Sequence, residues 1–160
     1  MTSDETLKRT TVMVLGSFLP YRLATLSNRI SGAIASLYEG PYDMSVPEWR
    51  VMAVTAEESD ISAAQVAERT ALDKVAVSRA VNKLIDAGRL ERHFAKEDRR
   101  RSVLSLSAEG IRIYNAVAPL AMSYEKKILD ELDDSEKDLI NQMLDKLHAI
   151  QWKQDHPGEI

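Results

Sequence analysis

Cysteine is absent from this 160-residue chain. Disulfides, thiolate metal sites and thiol-based redox sensing are therefore excluded. No run of residues approaches the eighteen or so consecutive apolar positions of a membrane-spanning helix. The short apolar patch Val12–Met13–Val14–Leu15 lacks the flank and cleavage site of a signal peptide, so the cytoplasm is the expected location. Glycine and proline are few, with six and five residues, and they sit at element boundaries. Neither an internal repeat nor a low-complexity linker is present, and the length suits one compact domain spanning 1–160 with a real core. Catalytic motifs are missing too. The chain has no HExxH, no GxSxG, no glycine-rich phosphate loop and no histidine pair at metal-ligand spacing. His93, His148 and His156 are scattered, with His93 expected to face phosphate or solvent. Asp133, Asp134 and Glu136 fit helix capping. No enzyme, metal or cofactor is expected.

Positive charge is scarce overall but concentrated in one place. The formal net charge is −4. From Arg69 to Arg101, however, ten Lys/Arg face five Asp/Glu, a local excess of five positive charges in an otherwise acidic chain. Such an island directs attraction for a polyanion to one surface.

The island coincides with a structural pattern between Ile61 and Ser107. Ser62 with Gln65 is a capping-box pair that opens one short helix, ending near Arg69. A second helix spans about Asp73 to Ala87, with Asp73 as its N-cap. Val77, Val81, Leu84 and Ile85 share one face of it, and Lys74, Ser78, Arg79, Asn82 and Lys83 share the other. Gly88 stops this helix. Arg89 to Phe94 then begins an extended segment, the charged run from Lys96 to Arg101 turns the chain, and Val103 to Leu106 returns it. The expected fold class is mainly α with a small β-hairpin wing. A cationic helix that fits the major groove, followed by a basic hairpin, is a geometry suited to double-stranded DNA.

These residues resemble the winged helix-turn-helix of the MarR family of transcription regulators. The family's wing signature is Asp-x-Arg, five residues, then Leu-Thr. Asp98, Arg100, Leu106 and Ser107 stand at that spacing, with Ser in place of Thr. Val66–Ala67, Ser78–Arg79, Leu84 and Gly88 match its helix-turn-helix, and Met44–Ser45–Val46–Pro47–Glu48–Trp49 resembles the opening of its preceding helix. The departure is Arg89, where the family usually places an apolar residue. The resemblance covers roughly residues 19–150. It implies a sequence-specific regulator, a ligand-responsive repressor binding a palindromic operator as a homodimer, with a core at 45–107. Lys74, Ala76, Ser78, Arg79, Asn82, Lys83, Arg99, Arg100 and Arg101 are the expected DNA-binding residues, Arg100 in the minor groove, with Asp98 bracing the wing. A winged helix serving DNA architecture or protein contact, without a ligand, is the alternative. A specificity ratio separates the two.

The outer helices carry wide apolar stripes. The first, about Phe18 to Tyr38, shows Leu19, Leu23, Leu26, Ile30, Ala33, Ile34 and Leu37, and Gly40–Pro41 is expected to end it. Ser45 and Glu48 then box the start of a helix reaching about Ala56. After the hairpin, helices from Ser107 to about Leu132 and from Asp133 to about Trp152 are striped in the same way. One small core cannot cover these stripes, so 19–38 and 108–152 are expected to be dimerisation helices, with an intramolecular bundle as the alternative. The family resemblance further implies a small aromatic or phenolic anion as effector. Its cleft would involve Phe18, Arg22, Trp49 and Met52, bordered also by Leu19, Met44 and Tyr114, with Arg22 pairing a carboxylate. Equally, Trp49 and Met52 could be plain core and Arg22 an ion-pair residue.

Overall fold

The computed structural model describes residues 12–95, 100 and 102–150. Residues 1–10 and 154–160 (expected to be loose), the expected helix end at Trp152, and Lys96, Glu97, Asp98, Arg99 and Arg101 of the hairpin tip lie outside the described residues. The chain divides after Val117 into two compact units.

In the first unit, a single 3-10 turn at Leu15–Ser17 leads into α1 (Leu19–Ala35). Pro20 falls in the first turn of α1, where its missing N–H costs no helical bond. The beginning of α1 is exposed at Leu19, Leu23 and Leu26, and full burial is reached only at Ala35 and Tyr38. Gly40–Pro41 does not simply end the helix as expected. The four residues Glu39–Tyr42 form a short helix α2, in which Pro41 again occupies the first turn, and Asp43 turns the chain in the left-handed region. α3 (Val46–Glu57) opens with the expected Ser45/Glu48 box, and α4 (Ala63–Thr70) with the Ser62/Gln65 box. α5 (Lys74–Asp86) starts at Asp73, whose carboxylate accepts the Ala76 amide at 2.8 Å.

A Schellman motif closes α5. The amides of Gly88 and Arg89 return to the carbonyls of Ile85 and Leu84, and Gly88 adopts a φ of +67°. Strand β1 (Leu90–Phe94) then pairs antiparallel with β2 (Ser102–Leu106), Leu90 opposite Leu106 and Phe94 opposite Ser102. Leu104 also donates its amide to the Ile61 carbonyl at 2.8 Å, forming a one-residue bridge beside the hairpin. Helix α6 (Ala108–Leu129) follows, and the core closes on Val51, Met52, Val66, Val77, Val81, Leu84, Leu104, Ile113 and Val117. Tyr38, Trp49 and Tyr114 stack in sequence within this unit, with ring centroids 5.4 and 5.8 Å apart.

The second unit contains the end of α6 and α7 (Asp134–His148), opened by the Asp133/Glu136 capping box. No residue of α7 is buried, and Leu139, Ile140, Met143 and Leu144 are exposed. No described helix is long and apolar enough to cross a membrane.

Candidate nucleic-acid interface

α5 is held by its apolar stripe. Val77, Ala80, Val81 and Leu84 are buried, so the side chains on the opposite face must project outward. Lys74, Ser78, Arg79 and Asn82 are all exposed there, and Ala76 is half-buried at the edge. The expected polar face is therefore brought together on one helix. Lys83, at the last turn, is exposed but sits 3.5 Å from Glu48, a buried carboxylate on α3. Glu48 also accepts the Ser45 hydroxyl at 2.9 Å, so a single carboxylate caps α3 and ties it to α5. A cleft of about 250 Å³ runs between these helices, lined by Pro47, Ala76, Arg79 and Lys83 among others.

Two other basic or titratable residues have partners within the protein. Arg69 is committed to the end of α3 and the residue after it, pairing with Glu57 at 2.6 Å and Glu58 at 2.9 Å. It clips α4 in place and so lends little charge to an outside partner. His93, expected to face phosphate or solvent, is exposed and also contacts Asp60 at 2.7 Å, linking β1 to the turn before α4. Asp60 takes a left-handed φ of +62° in that turn. Sequence reasoning had no access to this pair, because its members lie 33 residues apart.

The base of the hairpin is built around backbone contacts. Ser107 donates its hydroxyl to the Gly88 carbonyl at 2.6 Å and accepts the Gly110 amide at 3.0 Å, capping α6 while fastening it to the end of α5. The Ser107 amide reaches the Arg89 carbonyl at 3.1 Å. Arg89 itself donates its guanidinium to the Tyr42 carbonyl. A polar side chain thus serves at a position where an apolar contact would otherwise support the Schellman turn. At the far end, Arg100 is exposed in the hairpin turn; Asp98, Arg99 and Arg101 lie outside the described residues.

A family model described as the MarR family matches residues 42–101, the segment from the end of α2 to the wing tip. The crystal structure of a MarR/EmrR family transcriptional regulator from Acinetobacter sp. ADP1 superposes with a TM-score of 0.78 at 28% identity, covering 85% of this chain and 96% of that one. In residues 42–101 and in its fold, the chain is similar to MarR-family winged-helix regulators. Transcriptional regulator HosA of Escherichia coli O111:H- is 26% identical over 105 residues, covering 66% of this chain and 78% of HosA. The fold is also that of CouR from Rhodococcus jostii RHA1, crystallised with p-coumaroyl-CoA, with a TM-score of 0.75 at 17% identity over 89% of this chain and 100% of CouR. The family and the relatives that it matches are transcription regulators with a DNA-binding winged helix.

The residues expected to line an effector cleft differ in exposure. Met52 has 0% exposure and belongs to the core. Trp49 is half-buried and already has Tyr38 and Tyr114 as ring partners. Phe18 and Arg22 are exposed at the start of α1. None of the four lines the larger cleft, of about 500 Å³, whose walls include Glu39, Asp43, Glu48, Lys83, Asp86 and Arg89.

Proposed function

We propose that this regulator reads a palindromic operator as a homodimer and that a small aromatic anion modulates its grip. The observation that carries the DNA reading is the two-faced character of α5. Its apolar stripe is buried, while Lys74, Ser78, Arg79 and Asn82 stand exposed together on the other side. In this reading Arg79 and Asn82 address purine edges, since guanidinium suits guanine and a carboxamide suits adenine. Lys74 and Lys83 approach phosphates, with Ala76 close against the groove wall. Arg99, Arg100 and Arg101 extend the contact from the wing, with Arg100 in the minor groove and Asp98 bracing it. Residues 45–107 form the reading head, and 19–38 with 108–152 carry the assembly.

The homodimer is supported by apolar side chains left open on a single chain. Leu19, Leu23 and Leu26 of α1 are exposed in the first unit; Leu139, Ile140, Met143 and Leu144 of α7 are exposed in the second. A two-fold partner would cover them and set two reading heads about one helical turn apart. The effector reading is supported by the likeness to CouR with its aromatic thioester, and on this chain by Phe18 and Arg22, which offer a ring and a cation at the start of α1. The repressing direction follows if the ligand favours a dimer whose heads no longer match the operator, by no more than its differential affinity for the two states.

The test begins with duplexes selected from a random-sequence pool by the intact protein. Arg79→Ala should weaken binding to the selected duplex by about 1–3 kcal/mol and relax base preference at one position in each half-site. Unchanged affinity together with unchanged preference would take α5 out of the groove.

A further inference from the structure

Val75 is the anomaly of α5. The other three valines and leucines of that helix, Val77, Val81 and Leu84, have at most 1% exposure, whereas Val75 has 59%. Its position is also informative. Counting along the helix, Val75, Ser78, Arg79 and Asn82 follow the i, i+3, i+4, i+7 spacing of a single face. An apolar branched side chain therefore leads the same row as the polar side chains assigned to base reading. It is the second residue of the helix, in the first turn, which the Asp73 cap holds through the Ala76 amide at 2.8 Å. The N-terminal residues of a recognition helix are the ones that reach base edges.

We propose that Val75 reads sequence by packing its isopropyl group against the C5-methyl of a thymine in the major groove. This rests on the reading of α5 as the recognition helix. The chemistry leaves one match there. Major-groove edges present hydrogen-bond donors and acceptors to which valine offers nothing, and the thymine methyl is the apolar group among them. Valine gains nothing from phosphates, and a β-branched residue is a poorer choice for an exposed helix position than the straight-chain residues that favour helix. Placing it against a methyl group removes both apolar surfaces from water without leaving a polar group unpaired. Its χ1 is restricted in a helix, so the contact costs little side-chain ordering and discriminates by position.

The test uses the selected duplex and the intact protein. Each thymine in turn is replaced by deoxyuridine, which removes only the methyl group. At one thymine in each half-site the replacement should weaken the wild-type protein about fourfold, the factor expected for one buried carbon. Val75→Ala should bind the thymine and uracil duplexes equally at that position, while Arg79→Ala keeps the fourfold ratio at its lower affinity. Because Val75 is exposed, its variant should show the wild-type circular dichroism spectrum and melting temperature. If no single replacement affects the wild type, or if Val75→Ala keeps the same thymine preference, the assignment is overturned while the recognition helix stands. If Arg79→Ala also leaves affinity and preference unchanged, the recognition-helix reading falls and takes Val75 with it.

Discussion

A Cβ placed on Gly110 would stand 2.1 Å from the carbonyl oxygen of Arg89 and 3.3 Å from Leu106. Real carbon and oxygen atoms do not approach so closely, and the obstacle is backbone rather than a flexible side chain. Gly110→Ala must therefore push α6 away from the base of the wing. We expect a loss of about 3 kcal/mol, the upper end for overpacking, measured by urea denaturation. The displaced helix start should also weaken the Ser107 hydroxyl bridge, whose two arms run to Gly88 and Gly110. An alanine variant as stable as wild type would mean that α6 slides freely at this point. Arg89 belongs to the same neighbourhood. Its guanidinium reaches the Tyr42 carbonyl on α2, so the departure from an apolar residue is answered by a cross-link between the turn after α5 and a helix far earlier in the chain.

At the scale of elements, α7 depends visibly on its first turn. Asp133 accepts the Ser135 hydroxyl at 2.6 Å and the Glu136 amide at 2.9 Å, and Glu136 returns the contact to the Asp133 amide. The Ser135 hydroxyl first, and then the Glu136 amide, hold the Asp133 carboxyl below its usual value of 3.8. A carboxyl lowered in the folded state stabilises above its unfolded value, and that contribution disappears as pH falls through the lower folded value. Helicity should thus be unaffected by the cap down to about pH 4, the ordinary carboxylate range, and decline below it. Asp133→Asn, a neutral cap, should flatten this acid limb in far-ultraviolet circular dichroism; an identical limb would assign it to other carboxylates. Capping boxes of this kind, at Ser45, Ser62 and Asp133, were readable because each is a local spacing of three residues. The hairpin and the two-faced α5 were readable for the same reason, through periodicity and a glycine stop. What escaped was non-local or carried by backbone. The short helix over Gly40–Pro41, the Ile61–Leu104 bridge, the His93–Asp60 contact and the need for Gly110 each depend on a partner or a turn geometry that periodicity does not register. Charge counting likewise credited Arg69 to an outer surface, although Glu57 and Glu58 hold it.

For the whole molecule, the exposed row Leu139, Ile140, Met143 and Leu144 on α7 is the place to challenge assembly. Paired substitution of Met143 and Leu144 by glutamate should give a monomer in sedimentation velocity and lower operator affinity by at least tenfold, since each reading head then binds alone. A variant that remains dimeric would move the interface elsewhere, to α1 or the end of α6. The stack of Tyr38, Trp49 and Tyr114 has a different kind of consequence, an optical one. Neighbouring rings lie 22° and 20° from parallel, and the three come from the turn between α1 and α2, from α3 and from α6. Coupled transitions of rings so arranged should give a strong near-ultraviolet dichroic band that exists only while these three segments stay in register. Burial, and secondarily the charge of Glu39, pushes the Tyr38 phenol up to about 12. A value raised in the folded state means that this contribution is complete below pH 10 and fades as pH climbs through 12. The band should therefore survive mild alkali and vanish near the top of that window, with Tyr38→Phe extending it upward. The same band, followed while DNA or an aromatic acid is titrated in, would give a colour-free and label-free record of whether the turn between α1 and α2 shifts against α3 when either is added.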